Sequence, residues 1–124
     1  MIVISSIDHA RRRVLVTASG RITAKDMLAH IKQEQDDGLL SFSELVDARG
    51  AQPAFSPADL RVVVDLIRRL AQDSVVGAAA IIVSSELAFG MLRILEMMVE
   101  DVCSIRPFRR PEDAEASLPD PSSS

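Results

Sequence analysis

Tryptophan and tyrosine are absent from this 124-residue chain, and its only aromatic residues are four phenylalanines. A surface that stacks nucleic-acid bases has little to work with here. Positive charge is not in excess either: the formal net charge is −4, so the basic stripe that phosphate-backbone binding needs is missing. Nucleic acid is therefore not an expected partner. The single cysteine, Cys103, forbids an internal disulfide and fits a reducing compartment.

Long apolar runs are also missing. None approaches the ~18–20 residues that span a bilayer, so no transmembrane segment is expected. The opening "MIVISSIDHARRR" has no basic region ahead of a short apolar stretch, unlike a signal peptide. A cytoplasmic location is the expectation. Catalytic patterns are equally scarce: there is no glycine-rich phosphate loop, no metal-ligand spacing and no Ser/His/Asp set in a recognisable context. His9 falls in a turn. His30 lies beside the apolar stripe of a helix, where a hydrogen-bonded boundary histidine is expected. Cys103 reads as a buried strand residue far from any activating base, hence an inert thiol. No catalytic residue, metal or cofactor is expected, and the chain reads as a non-enzyme.

What is present is an alternation of strands and helices. "MIVISSI" and "RRVLVTASG" are β-branched runs that fit an antiparallel pair. Thr23 with Asp26 three residues on is a capping-box start, and Ala24, Met27, Leu28 and Ile31 recur at helical spacing. Gly38 ends that helix, and "FSELVDA" supplies a third strand. Ser56 caps a second helix, with Pro57 at its first position and Leu60, Val63, Val64, Ile67 and Leu70 as its core stripe. "GAAAIIVSS" is a small-apolar strand of the doubly buried type, and a third helix is expected over about 86–101, capped by Ser84 or Ser85. "VCSIRPF" and "PEDAEASL" add a short strand and a short helix. The order ββαβαβαβα predicts an α/β domain built on a single, mostly parallel five-stranded sheet with right-handed crossovers and about four helices. The first strand is expected as an antiparallel edge. Strand order and the coverage of each face do not follow from the pattern.

The segments "SGRITAKDM", "FSELVDARGA", "AAAIIVSSELAFGMLRILE" and "IRPFRRPEDAEASL" resemble, in order and spacing, a bacterial STAS-like family related to the anti-sigma-factor antagonists (SpoIIAA-like). The resemblance covers residues 2–118. Its most specific parts are the strand ending Val-Asp-Ala-Arg-Gly and the Gly90-Met91-Leu92-Arg93 turn. Members often carry an aromatic where Ser117 stands. The resemblance implies a STAS-like domain over 1–118, with a disordered tail over 119–124, and a non-catalytic regulatory or protein-binding role. It also implies a phosphoacceptor at Ser56, the position of the antagonists' regulatory serine. The antagonists' Asp-Ser/Thr-x-Gly loop is replaced here by Phe55-Ser56-Pro57-Ala58, and a plain helix cap is the favoured role.

Two further sites follow from the residues. Asp47, Arg49 and Gly50 form a strand-end loop of the kind that contacts ligands in open α/β sheets. Asp47 and Arg49 are expected to project to opposite sides, with Asp47 accepting backbone N–H groups and Gly50 closing a turn. The third helix carries apolar residues around a broader arc than one sheet can cover. Met91, Met97 and Met98, with Arg93 among them and Val62 and Leu66 on the second helix, either are buried within the domain or outline a partner or ligand surface. Gly90 implies close approach of another element. The expected partner is a second copy of the chain or a regulatory protein. An apolar small molecule, lipid-like or otherwise, is the alternative occupant. The clusters "RRR" at 11–13 and "RPFRRP" at 106–111 read as charge guards. They would form an anion-facing patch only if both lie at one end of the sheet.

Overall fold

The structure is a computed structural model that describes residues 1–119. Five strands and four helices follow the expected order: β1 (Ile2–Asp8), β2 (Arg13–Ile22), α1 (Ala24–Asp36), β3 (Ser43–Pro53), α2 (Pro57–Asp73), β4 (Ala79–Ile82), α3 (Glu86–Val99), β5 (Ile105–Phe108) and α4 (Pro111–Ser117). The expected tail over 119–124 lies, Pro119 excepted, outside the described residues.

The strands sit side by side in chain order, β1-β2-β3-β4-β5. β1 runs antiparallel to β2 at one edge, and the other pairs are parallel. Three successive crossovers stepping the same way, all right-handed, must put their helices on one face. The packing agrees. Val14, Val16 and Val46 of the sheet form one core with Leu60, Val63 and Ile67 of α2 and Leu92, Leu95 and Val99 of α3. Met27 and Ile31 of α1 pack on the same core from its margin. The opposite face has a smaller core, in which Ala114 and Leu118 of the α4 segment cover Ala80 and Ile82 of β4. β1 lacks such a cover, and Val3 and Ile7 are exposed, whereas Arg13 at the start of β2 is buried and donates to the Pro119 carbonyl at 3.3 Å.

Local chemistry sets the helix starts. Thr23 accepts from the Asp26 backbone N–H at 3.1 Å while the Asp26 carboxylate accepts from the Thr23 N–H at 2.9 Å. Ser56 and Asp59 repeat the box at 3.2 and 2.8 Å. Each box satisfies two donors that a helix start leaves free. Ser85, rather than Ser84, caps α3, and Ser84 instead donates to the Arg49 carbonyl at 2.7 Å.

Three readings need correction. Gly50 closes no turn, because β3 continues to Pro53 and Gly50 pairs with Ser19 of β2. Cys103 lies before β5, not in it; it is half-buried, and burial pushes its thiol pKa up. Gly90 faces solvent, and a methyl group placed there meets nothing within 4 Å. The glycine that does lie against another element is Gly77, where a Cβ would fall 2.1 Å from the Phe42 carbonyl oxygen. Gly77 also donates to the Leu40 carbonyl at 2.8 Å, which fixes the entry to β4 against the loop before β3.

Candidate functional site

α1 packs against α2 and β1, and only one of its residues, Glu34, is buried. Its apolar residues Met27, Leu28 and Ile31 are merely half-buried. Space remains between this helix, α2 and the sheet. The result is an apolar cavity of about 180 Å³, floored by Ala18, Val46 and Ala48 and walled by Met27 and Ile31 on one side and Val63 and Ile67 on the other. The space is half open; an enclosed apolar cavity of about 150 Å³ takes up benzene.

One corner of this cavity is polar. His30, Glu34 and Glu44 all line it, with side chains 9%, 8% and 15% exposed. His30 and Glu34 are four residues apart on α1 and so share a face. Glu44 reaches them from β3, where alternation puts it on the same side as Val46 and Ala48. The His30 Nε2 lies 3.2 Å from Glu34 Oε1 and 2.9 Å from Glu44 Oε1. Burial opposes charge on the imidazole, but the hydrogen bonds to both glutamates outweigh it and raise its pKa to about 10. Burial raises Glu34 to about 7, with Glu44 adding to the shift and His30 opposing it. The corner therefore holds an imidazolium between two carboxyl groups that share its charge. With His30 deprotonated, the three ligand atoms, within 4.8 Å of one another, could ligate a cation.

His30 was legible as a hydrogen-bonded boundary residue, but its partners were missed. The four-residue spacing to Glu34 and the inward alternation Glu44, Val46, Ala48 were the available signals.

The other sequence-derived positions are dispersed. Asp47 and Arg49 do not diverge: residues two apart in a strand share a face. Arg49 donates to both Asp47 oxygens at 2.9 and 2.8 Å. That pairing holds the Asp47 carboxyl below the usual carboxylate range. Ser56 is exposed and engaged in its cap. Leu66 and Met91 are buried, each 7% exposed, and Met98 is half-buried. Val62 and Met97 remain exposed, as does Leu87. Arg68 of α2 donates to the Met98 carbonyl of α3 at 3.3 Å and to Asp101, just past that helix, at 2.7 and 2.8 Å. Val62 lies about 120° around α2 from that contact, so it does not extend the Leu87–Met97 face. Arg93 pairs with Glu96 at 3.1 Å.

The two arginine clusters sit at opposite ends of the sheet, since Arg13 begins β2 and Phe108 ends β5, with β2 to β5 parallel. They form no joint patch, and Arg109 is held by Glu86 at 3.0 Å and by the Phe89 ring.

No family model and no curated protein matches the chain. Among solved structures, it is similar to an uncharacterised protein of the DUF3478 family from Shewanella loihica, described as having a SpoIIAA-like fold. The TM-score is 0.61 at 17% identity, over 95% of this chain and 94% of that one. This chain has a SpoIIAA-like fold. That bears out the α/β class and the SpoIIAA-like fold expected from its motifs. Among the described residues, no helix is long and apolar enough to cross a membrane.

Proposed function

We propose that this SpoIIAA-like domain is a cytosolic, non-catalytic binding module that holds a small apolar molecule between α1, α2 and the sheet. The observation that carries the reading is the cavity of about 180 Å³ under a loosely seated α1. Its size argues against a whole phospholipid and for a molecule of benzene size or slightly larger. Within the alternative expected from the sequence, an apolar molecule that is lipid-like or otherwise, a small one thus fits better than a whole lipid.

The test is native mass spectrometry of the purified protein together with thermal unfolding in benzene-saturated buffer. The reading expects a retained small apolar species or a clear rise in Tm, because a ligand bound only by the folded state stabilises it. Absence of both defeats it.

Self-association is the second reading, supported by Leu87 at 63% and Met97 at 58% exposure on the outer side of α3. The same mass spectrum would show a dimer that Met97→Lys abolishes. The Ser56 switch gains no support: a phosphate there would meet the Asp59 carboxylate that already caps the Ser56 N–H.

A further inference from the structure

We infer that His30, Glu34 and Glu44 form a binding site for a divalent metal ion of the zinc class, held by the imidazole Nε2 and one oxygen of each carboxylate. The inference goes beyond the small-molecule reading and does not depend on it.

Charge makes the first case. The three side chains are only 9%, 8% and 15% exposed, and among the described residues neither glutamate pairs with a lysine or arginine. Glu34 is moreover the one buried residue of α1, a position that a helix ordinarily gives to an apolar side chain. One imidazolium and two carboxylates sum to a single negative charge, which burial penalises. Exchanging the ring proton for a divalent cation brings the sum to zero, and a monovalent ion does not.

The proton is also a poor fit. Both carboxylates approach the same nitrogen, His30 Nε2, at 3.2 and 2.9 Å, and its single hydrogen cannot point at two oxygens at once. Protonation makes the ring a cation whose other N–H, on Nδ1, is buried with no hydrogen-bond partner among the described residues. An unmet donor costs more when it is charged. A metal ion on Nε2 binds the nitrogen and both oxygens together, leaves the ring neutral and releases the proton to solvent.

Geometry and donor chemistry choose the ion. Zinc holds nitrogen and oxygen ligands at about 2.0–2.2 Å in a tetrahedron, which sets its ligand atoms about 3.3–3.4 Å apart. The observed 3.2 and 2.9 Å therefore need to open by only a few tenths of an ångström. His30 and Glu34 stand four apart on α1, the spacing by which a helix presents two ligands to one zinc ion. Calcium and magnesium take six or more oxygens, yet every other side chain lining the cavity is apolar. Three protein ligands leave the fourth position of a zinc ion free. Because all three line the cavity, that position is met from the cavity, by water or by its occupant.

The experiment titrates Zn²⁺ into the intact, untagged, chelator-washed protein at pH 8 by calorimetry, with Mg²⁺ in excess. One ion per chain is expected. Loss of an outer-shell partner already weakens metal binding by about 10–100-fold, so His30→Gln and Glu44→Gln are each expected to weaken Zn²⁺ by at least about 100-fold. His9→Gln, in an exposed turn, should leave the affinity unchanged. Paramagnetic Co²⁺ loaded on the wild-type protein should broaden the NMR signals of the His30 ring and of the Ile31 and Val46 methyl groups.

No stoichiometric binding, equal binding by the variants, or broadening centred on other residues overturns the site. Should a variant not fold, the Co²⁺ broadening of the wild type decides alone. Zinc binding without uptake of benzene defeats only the small-molecule reading, and uptake of benzene without zinc binding defeats only the metal site.

Discussion

Replacing Ala48 by isoleucine adds three carbons to the centre of β3, pointing at the floor of the cavity. Ala48 is 8% exposed and lines the space beneath α1 and α2. Three buried methylene-sized groups return about 2 kcal/mol if the space receives them. A β-branched residue also suits a strand interior. Urea denaturation followed by circular dichroism is the assay. The expected outcome is a higher midpoint at unchanged slope, with binding of benzene-sized probes lost. A well-packed floor would give the reverse, since forcing extra carbons into a filled core costs about 1–3 kcal/mol. A destabilised Ala48→Ile protein would therefore refute both the cavity and the function drawn from it.

The two glycines should respond with opposite signs. Gly77→Ala would drive a methyl group against the Phe42 carbonyl at 2.1 Å, and a loss on the order of 2–3 kcal/mol is expected in the same denaturation assay. Gly90→Ala, which meets nothing, should raise stability by about 1 kcal/mol through helix propensity alone. The polar corner predicts a pH dependence. The folded pKa of His30 is raised from 6.5 to about 10, so between those values the native state holds more protons than the unfolded one. Stability from His30 is then complete below pH 6.5 and is lost as pH rises towards 10. Glu34, raised from 4.5 to about 7, acts with the same sign over its lower window. The stability difference between wild type and His30→Gln should narrow from pH 6.5 to 10, and a His30 ring that NMR shows deprotonating near 6.5 would contradict this.

What could be read from the sequence was mostly local. Helix starts were visible because Thr23 with Asp26, and Ser56 with Asp59, satisfy donors within three residues of themselves. Element order followed from period and punctuation. The errors lie where distant segments decide. Gly90 carried a propensity cost that invited a packing explanation, yet it faces water, while Gly77 touches a loop 35 residues earlier in the chain. The broad apolar arc of α3 turned out to be largely absorbed by the sheet and α2, leaving Leu87 and Met97 outside. The polar corner was half legible: His30 and Glu34 advertise themselves on one helix, but Glu44 joins them only through the parallel sheet. The cavity itself leaves no mark in the pattern, because it depends on how far α1 stands from its neighbours.

The order β1-β2-β3-β4-β5 bears on how the polypeptide acquires this shape. Every strand lands beside the one made just before it, so no later segment has to be threaded between two already in place. Sheet growth can advance from one margin to the other in the direction of synthesis, each parallel step closing a connection that carries its own helix.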